Sequence, residues 1–432
     1  MAFCIPKIKA MDMDNIKLPE LLQLRNGTPL YMINEGEMDV VRFDILFSGG
    51  YTVQRQPLQA LFTNRMLREG SVGLSSSGVS EVLDSCGAWV EIYSSQNCNH
   101  ITLYTVKRHF GKLLKTVEEI VKNPAFRSDD LNVVRAANKS HFQVNSHKVD
   151  VLAHRHFEKA LWGAEHKFGR MLLAEDYDAI TVDVLREYYL RVYGSSNCTL
   201  FLSGKLDDAD ISDVSSAFGN EKWGASEKIE IVDTPPSGIV TGRVKVEVGD
   251  ALQSAVKVGT MTLHASHPDF YSMKYMTVLL GGFFGSRLMT NIRERHGYTY
   301  HIEADLMAHG YRNSFVVSSE TANEYVEPLI EETYKEIKRL REELTSKEEM
   351  HKLRNCTLGE LCREYESVMT KADVFINTWL SGEPFSGVNS YLDVVRTAKA
   401  EDFMRLSNEY LHPEKMVEVV VGAYHIVVFV NI

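Results

Sequence analysis

The chain has 432 residues, 44% hydrophobic and 24% charged, an ordinary globular balance with room for two domains or more. A net charge of −11 argues against nucleic acid or an anionic membrane as the main partner. No run approaches the ~18 consecutive apolar residues of a membrane span. The opening MAFCIPKIKAMDMDN lacks the apolar core of a signal peptide, and six cysteines scattered without CxxC spacing read as reduced thiols in a cytoplasmic setting.

In chain order, Leu22–Ile33 carries a hairpin signal around Asn26-Gly27, and Val40–Phe47 alternates as a strand before Gly49-Gly50. Leu58, Leu61, Phe62 and Met66 fall at helical spacing. A small-residue loop then leads into a helix over Val79–Cys86, ended by Gly87, and two strands follow. Phe110–Val121 reads as an amphipathic helix stopped at Asn123-Pro124. One long helix or two successive helices are expected over 128–147 and 149–163, another helix over 181–193, then the strand Cys198–Ser203. The segment DTPPSG at Asp233–Gly238 reads as an interdomain linker, which places one domain at 1–228, the linker at 229–243 and a second domain at 244–432.

The second half replays the first. Strands near Val244–Val248 and Leu252–Leu263 precede a helix at Pro268–Leu280. Leu279–Ile302, LLGGFFGSRLMTNIRERHGYTYHI, then begins with a glycine-loosened turn. Ser286 is placed to cap a short helix, Gly297 to end it, and Tyr298, Tyr300, Ile302 and Ala304 to share one face of a strand. Arg293 thus falls in a helix's last turn and Tyr300 just inside a strand. Such a pair could hold a carbonyl or an oxyanion; equally, cations favour helix C-termini and a strand tyrosine is usually core. Gly87 and Gly297 stop equivalent helices, Glu324–Leu340 repeats Phe110–Val121, and the charged run Glu331–Glu349 reads as a solvated helix face. The fold class is α+β: two homologous domains, each a mostly antiparallel sheet covered by helices on one side.

The two-fold layout, FSGG before the first helix, NPAF at Asn123, and GGFFGSRLMTNIRERHGYTY together resemble the M16 metallopeptidase family (insulinase, pitrilysin, mitochondrial processing peptidase) over about residues 20–425. Active members carry H-x-x-E-H on the first helix, two histidines for zinc and a glutamate as general base. Here that place holds Leu61, Phe62, Thr63, Asn64 and Arg65. The metal positions are Leu61 and Arg65, the base position is Asn64, and no carboxylate occurs between Ala136 and Lys148, where the distal ligand should lie near His141. No metal is expected on this chain. Glu91 stands where the family uses an asparagine to grip substrate backbone. Arg293 and Tyr300, by contrast, match the second-domain pair that binds the scissile carbonyl in the family. The resemblance therefore implies a non-catalytic, zinc-free subunit. It would supply Arg293 and Tyr300 to a heterodimer whose partner carries the H-x-x-E-H motif and the zinc, acting on an unfolded peptide, with no peptidase activity alone. The alternative is a peptidase-fold binding or structural protein, including a homodimer, without a catalytic contribution. The histidines at 141, 147, 154, 156, 264 and 267 lack metal-ligand spacing and read as surface or packing residues.

Overall fold

The computed structural model describes residues 16–309 and 312–423; Cys4 and the N-terminal stretch read above lie outside them. The chain forms two compact units, one from Met1–Phe142, Leu172–Val232 and Cys362–Leu380, the other from Gln143–Met171, Asp233–Leu361 and Ser381–Ile432.

In chain order the elements are β1 (Glu20–Gln23), β2 (Pro29–Asn34), β3 (Val40–Ser48), α1 (Gln59–Met66), α2 (Ser76–Ser85), β4 (Trp89–Ser94), β5 (Cys98–Val106), α3 (Phe110–Lys122), α4 (Ser128–Asn145) and α5 (Val149–Trp162). There follow α6 (Ala174–Asp178), α7 (Val182–Val192), β6 (Cys198–Gly204), α8 (Asp208–Val214), β7 (Gly242–Glu247), β8 (Gln253–Thr262) and α9 (Phe270–Gly281). The last are β9 (Ile302–His309), β10 (Arg312–Ala322), α10 (Val326–Glu342), α11 (Lys347–Glu366), α12 (Val368–Leu380), α13 (Gly387–Thr397), α14 (Ala400–Tyr410) and β11 (Val417–Gly422).

The first unit contains a six-stranded sheet ordered β1-β2-β6-β3-β5-β4, antiparallel except for β2 beside β6. Strand β3 shows why both faces matter. Val41, Phe43, Ile45 and Phe47 alternate onto one face and join the main core, where α1, α3 and α7 contribute Phe62, Met66, Leu113, Val117, Ile120, Leu185 and Tyr188. Each such side chain, fully buried, contributes about 1.5–3 kcal/mol. The intervening Arg42 and Asp44 point to the other face, as does Phe201 of β6, whose ring meets Trp379 of α12 at 6.5 Å. A helix from late in the chain thus covers part of the first sheet's second face.

The second unit mirrors this arrangement. Its sheet is ordered β7-β11-β8-β10-β9, with only β7 and β11 parallel. Helix α5, from before the linker in sequence, lies on it: Ala153, Phe157, Ala160 and Leu161 pack with Ala255, Val316, Val417, Val419 and Val421. Gly259 makes this possible, because a Cβ there would meet Phe315 O at 2.1 Å and Phe157 Cζ at 2.8 Å. The two-sheet α+β architecture read from the sequence is observed. The compact units nevertheless cross the sequence halves, each including a helix from the other.

Two local expectations are corrected. The run Glu331–Glu349 is no uniformly solvated face: Glu336, Ile337 and Leu340 are buried, and Glu336 is hydrogen-bonded by Asn291 (2.9 Å) and Arg339 (2.8 Å). Ser286 does not cap the following turn. Its hydroxyl is buried and makes no hydrogen bond among the described residues.

Candidate functional site

Helix α1 follows Leu58, which holds a left-handed conformation (φ 68°), and carries Leu61, Asn64 and Arg65, the positions that the sequence resemblance equates with the zinc motif. Leu61 is partly buried and packs against the main core, and Arg65 is exposed. Asn64 is completely buried. Its Nδ2 donates to Tyr93 O at 2.7 Å and His100 O at 3.1 Å, and its Oδ1 accepts from the Tyr193 hydroxyl at 2.9 Å. Burial pushes the Tyr193 phenol well above its ordinary pKa, so it remains a donor. The amide ties α1 to the end of α7 and to the β4–β5 hairpin. A carboxylate in its place would face two carbonyl oxygens and lose both donors. Zinc does not fit this site: Leu61 has no donor atom, Asn64 is committed to structural bonds and Arg65 brings positive charge. Among the described residues no group of three or more His, Cys, Asp or Glu is placed to hold a metal ion. The histidines singled out in the sequence are not gathered into one.

Next to α1, β4 forms the free edge of the first sheet. Glu91 is exposed there, within 3.4 Å of the Trp89 indole nitrogen. Trp89 and Tyr93 project beside it, stacked on Tyr104 (4.8 Å) and His100 (4.2 Å). Burial drives the His100 pKa down to about 3, leaving a neutral ring, and raises Tyr93 and Tyr104 to about 12. The strand pairing lines up Arg42, Tyr104 and Trp89 in one row and Asp44, Thr102 and Glu91 in the next. Arg42 grips Asp44 through Nε at 3.0 Å and also reaches Asp373 of α12 at 2.7 Å. This ion pair is nearly fully buried, and the Arg42 guanidinium lies 5.4 Å from the centre of the Tyr104 ring.

In the second unit, Arg293 lies near the end of a π-helical segment, Met289–Arg295, as its sequence position implied, with its guanidinium 4.6 Å from the centre of the Phe284 ring. Gly297 has φ 67°, the left-handed residue expected after the turn. Tyr300 is not inside a strand and not on the core face. It precedes β9 and is 89% exposed, while Ile302 and Ala304 are buried. The cause is local hydrogen bonding. Thr299 Oγ1 accepts from the His301 N–H at 3.1 Å and donates to Glu320 O at 2.6 Å, while Thr321 Oγ1 donates to Tyr298 O at 2.6 Å. These bonds interrupt the two-residue alternation and hold the backbone on both sides of Tyr300. Its phenol stands at the rim of a cavity of about 340 Å³ whose lining includes Lys257, Glu303 and Ser318. Lys257 Nζ donates to Ser318 Oγ at 2.8 Å. No hydrogen bond joins Arg293 to Tyr300 among the described residues.

Sequence reasoning missed a buried titratable group under α5. Glu158 lies 3.4 Å from His309 Nδ1, and both side chains are almost fully enclosed. Burial raises the Glu158 pKa to about 8, with Lys257 opposing the rise, and lowers that of His309 to about 4. The signal available beforehand was weak: one glutamate within an apolar helix pattern, with its partner about 150 residues away.

Fold and site together describe a two-unit α+β protein whose residues 61, 64 and 65 do not suit a zinc ion. Residues 179–355 match the family model described as the Peptidase M16 inactive domain. The chain is 20% identical over 397 residues to an uncharacterized zinc protease of Rickettsia bellii, covering 89% of this chain and 93% of that one. It is 21% identical over 358 residues to a Helicobacter pylori protein named non-peptidase homolog YmxG, covering 80% of each. The solved structure of a peptidase M16 inactive domain from Pseudomonas fluorescens superposes with a TM-score of 0.83 at 21% identity, covering 94% of this chain and 98% of that one. Residues 179–355 thus match an M16 inactive domain, and the chain has the fold of the solved M16 inactive domain over 94% of its length.

Proposed function

We propose that this protein is the metal-free subunit of a two-chain M16 zinc endopeptidase, and that Arg293 and Tyr300 bind the scissile carbonyl of a peptide held by the pair. The supporting observation is the presentation of Tyr300. A tyrosine 89% exposed would ordinarily be mobile surface, yet the hydroxyls of Thr299 in the loop and Thr321 on β10 fasten its backbone on either side. A phenol carried on a fastened backbone and a guanidinium set against an aromatic ring are suited to stabilise charge developing on a carbonyl oxygen. The partner, an M16 homologue with H-x-x-E-H, supplies zinc and general base. The compartment is the cytoplasm, in keeping with scattered unpaired cysteines. Co-expression with such a partner tests the reading. Peptide cleavage requires both chains, and Arg293→Ala or Tyr300→Phe lowers turnover on the order of 10²-fold. Peptidase activity unchanged by both substitutions overturns it.

A second reading, a peptidase-fold binding protein without catalytic contribution, is favoured by one observation. The free edge of the first sheet carries exposed Trp89 and Tyr93 around Glu91, a surface suited to contact rather than to proton transfer. It requires a stable complex or homodimer that binds unfolded peptide and whose composition, with or without an H-x-x-E-H chain, never yields cleavage.

A further inference from the structure

A second cavity, of about 280 Å³, lies in the second unit between the Phe283–Arg295 segment, α10 and the beginning of α11, and Tyr300 and Arg293 do not line it. Its wall contains two buried donors that the fold leaves unused. The Ser286 hydroxyl is 0% exposed and the Arg287 side chain belongs to a residue 6% exposed; neither Ser286 Oγ nor Arg287 Nη1 makes a hydrogen bond among the described residues. The other guanidinium nitrogens of Arg287 are engaged, Nε with Glu349 at 2.8 Å and Nη2 with Glu349 at 3.3 Å and Thr345 at 3.5 Å, so the group is held with Nη1 fixed. An arginine nitrogen can only donate, so a buried Nη1 calls for an acceptor, and leaving it without one is costly.

The surrounding charges indicate what kind of acceptor. Arg295, Arg339 and Lys352 also line the cavity. Its three carboxylates are already occupied: Glu349 by Arg287 and the Ser346 hydroxyl, Glu348 by Lys352, and Glu336 by Asn291 and Arg339. Burial raises the pKa of Glu336, with Arg339 opposing the rise. Helix α11 begins here, with the Ser346 and Glu349 N–H groups already taken by the Glu349 carboxylate and the Ser346 hydroxyl, so the donors left for a ligand are side chains. Three or four donors around one small cavity suit a tetrahedral oxyanion with three or more acceptor oxygens better than a carboxylate with two. We propose that this cavity binds a phosphate-class oxyanion, with the Ser286 hydroxyl and Arg287 Nη1 as buried donors and Arg295 at the rim.

The test uses the full chain and inorganic phosphate. Calorimetric titration and thermal melts are run against sodium chloride of equal ionic strength, with acetate in parallel. Saturable one-to-one binding of phosphate and a rise in melting temperature are expected, with neither in chloride nor acetate. Ser286→Ala removes a hydroxyl with no partner in the fold, and Arg295→Ala an exposed side chain. Both fold normally in the absence of phosphate, and each weakens its binding about tenfold. A parallel titration with O-phosphoserine separates sources: tighter binding than inorganic phosphate assigns the site to an organic phosphate, equal or weaker binding to the free ion. Stabilisation no greater than in matched chloride, or phosphate affinity unchanged in both variants, overturns the proposal. Neither result depends on the Arg293/Tyr300 reading, because no peptidase activity is measured.

Discussion

Tyr193 donates its hydroxyl to Asn64 Oδ1 at 2.9 Å, at the position that the sequence resemblance equates with the general base of an active M16 enzyme. The same amide donates to two main-chain carbonyls, so a residue that cannot take a proton has become a structural joint between α1, α7 and the β4–β5 hairpin. Restoring acidity here therefore conflicts with the fold. Asn64→Asp sets a carboxylate against two carbonyl oxygens, and Asn64→Ala leaves three polar groups unpaired. Either costs about 2–4 kcal/mol. Urea melts should show a lowered midpoint for both variants, and an unchanged midpoint would mean that Asn64 holds nothing together.

The buried ion pair on the other face of the first sheet makes a sharper prediction. Arg42 and Asp44 are 6% and 1% exposed as side chains. Asp44→Ala abandons a buried guanidinium and is expected to cost about 3–5 kcal/mol, whereas replacing both partners by leucine costs much less. A double-mutant cycle in denaturant midpoints checks it; single and double variants equally destabilised would refute it.

Helix α5 should confer a pH dependence on the second unit. Glu158 has a folded pKa of about 8, above its unfolded value near 4.5, so folding retains its proton. Its contribution is fully present below about pH 4.5 and is lost as pH rises towards 8. His309 works in the opposite sense. With a folded pKa of about 4, its contribution holds above about pH 6.5 and is lost as pH falls towards 4. Between about pH 4.5 and 6.5 the two slopes oppose each other, so Glu158→Gln should flatten the loss of stability between about pH 6.5 and 8 and expose the His309 loss as pH falls from about 6.5 towards 4. Thermal melts across pH decide this, and an identical profile in the variant would show that Glu158 does not hold a proton.

Gly259 has no room for a side chain. Gly259→Ala drives a methyl group into Phe315 O and the Phe157 ring, so α5 is expected to lift from its sheet at a cost of at least about 1–3 kcal/mol. Hydrogen exchange should rise selectively over Val149–Trp162. Uniform protection there would contradict the packing described.

Tyr300 and Arg293 should be thermodynamically silent. Tyr300→Phe and Arg293→Ala alter an exposed phenol and a partly exposed cation, and each should change stability by no more than about 0.5 kcal/mol. Thr299→Val, which removes the hydroxyl fastening the Tyr300 backbone, should cost about 1–2 kcal/mol. Denaturant midpoints separate the two classes. A large loss in Tyr300→Phe would make that residue structural and remove the ground for a catalytic reading.

The chain's pattern alone left α6, α8, β10 and α11 to α13 unmarked, but it determined the order and type of most elements, the repeat that makes two similar units, and the residue types at Leu61, Asn64 and Arg65. These are properties of spacing and residue chemistry: a two- or 3.6-residue period specifies which face is apolar, a glycine marks a left-handed turn, and leucine has no donor atom. Tertiary structure decided the rest. The period that put Tyr300 on a strand's core face could not register Thr299 and Thr321, whose hydroxyls stop the strand and turn the phenol outward. Nor could it show that α5 and α12 pack into units assembled mainly from the other half of the sequence, that Glu158 meets His309, or that Arg287 and Ser286 share one cavity wall. Each of these rests on contact between residues distant in sequence, or on a side-chain bond that overrides local period. A single chain records neither until it is folded.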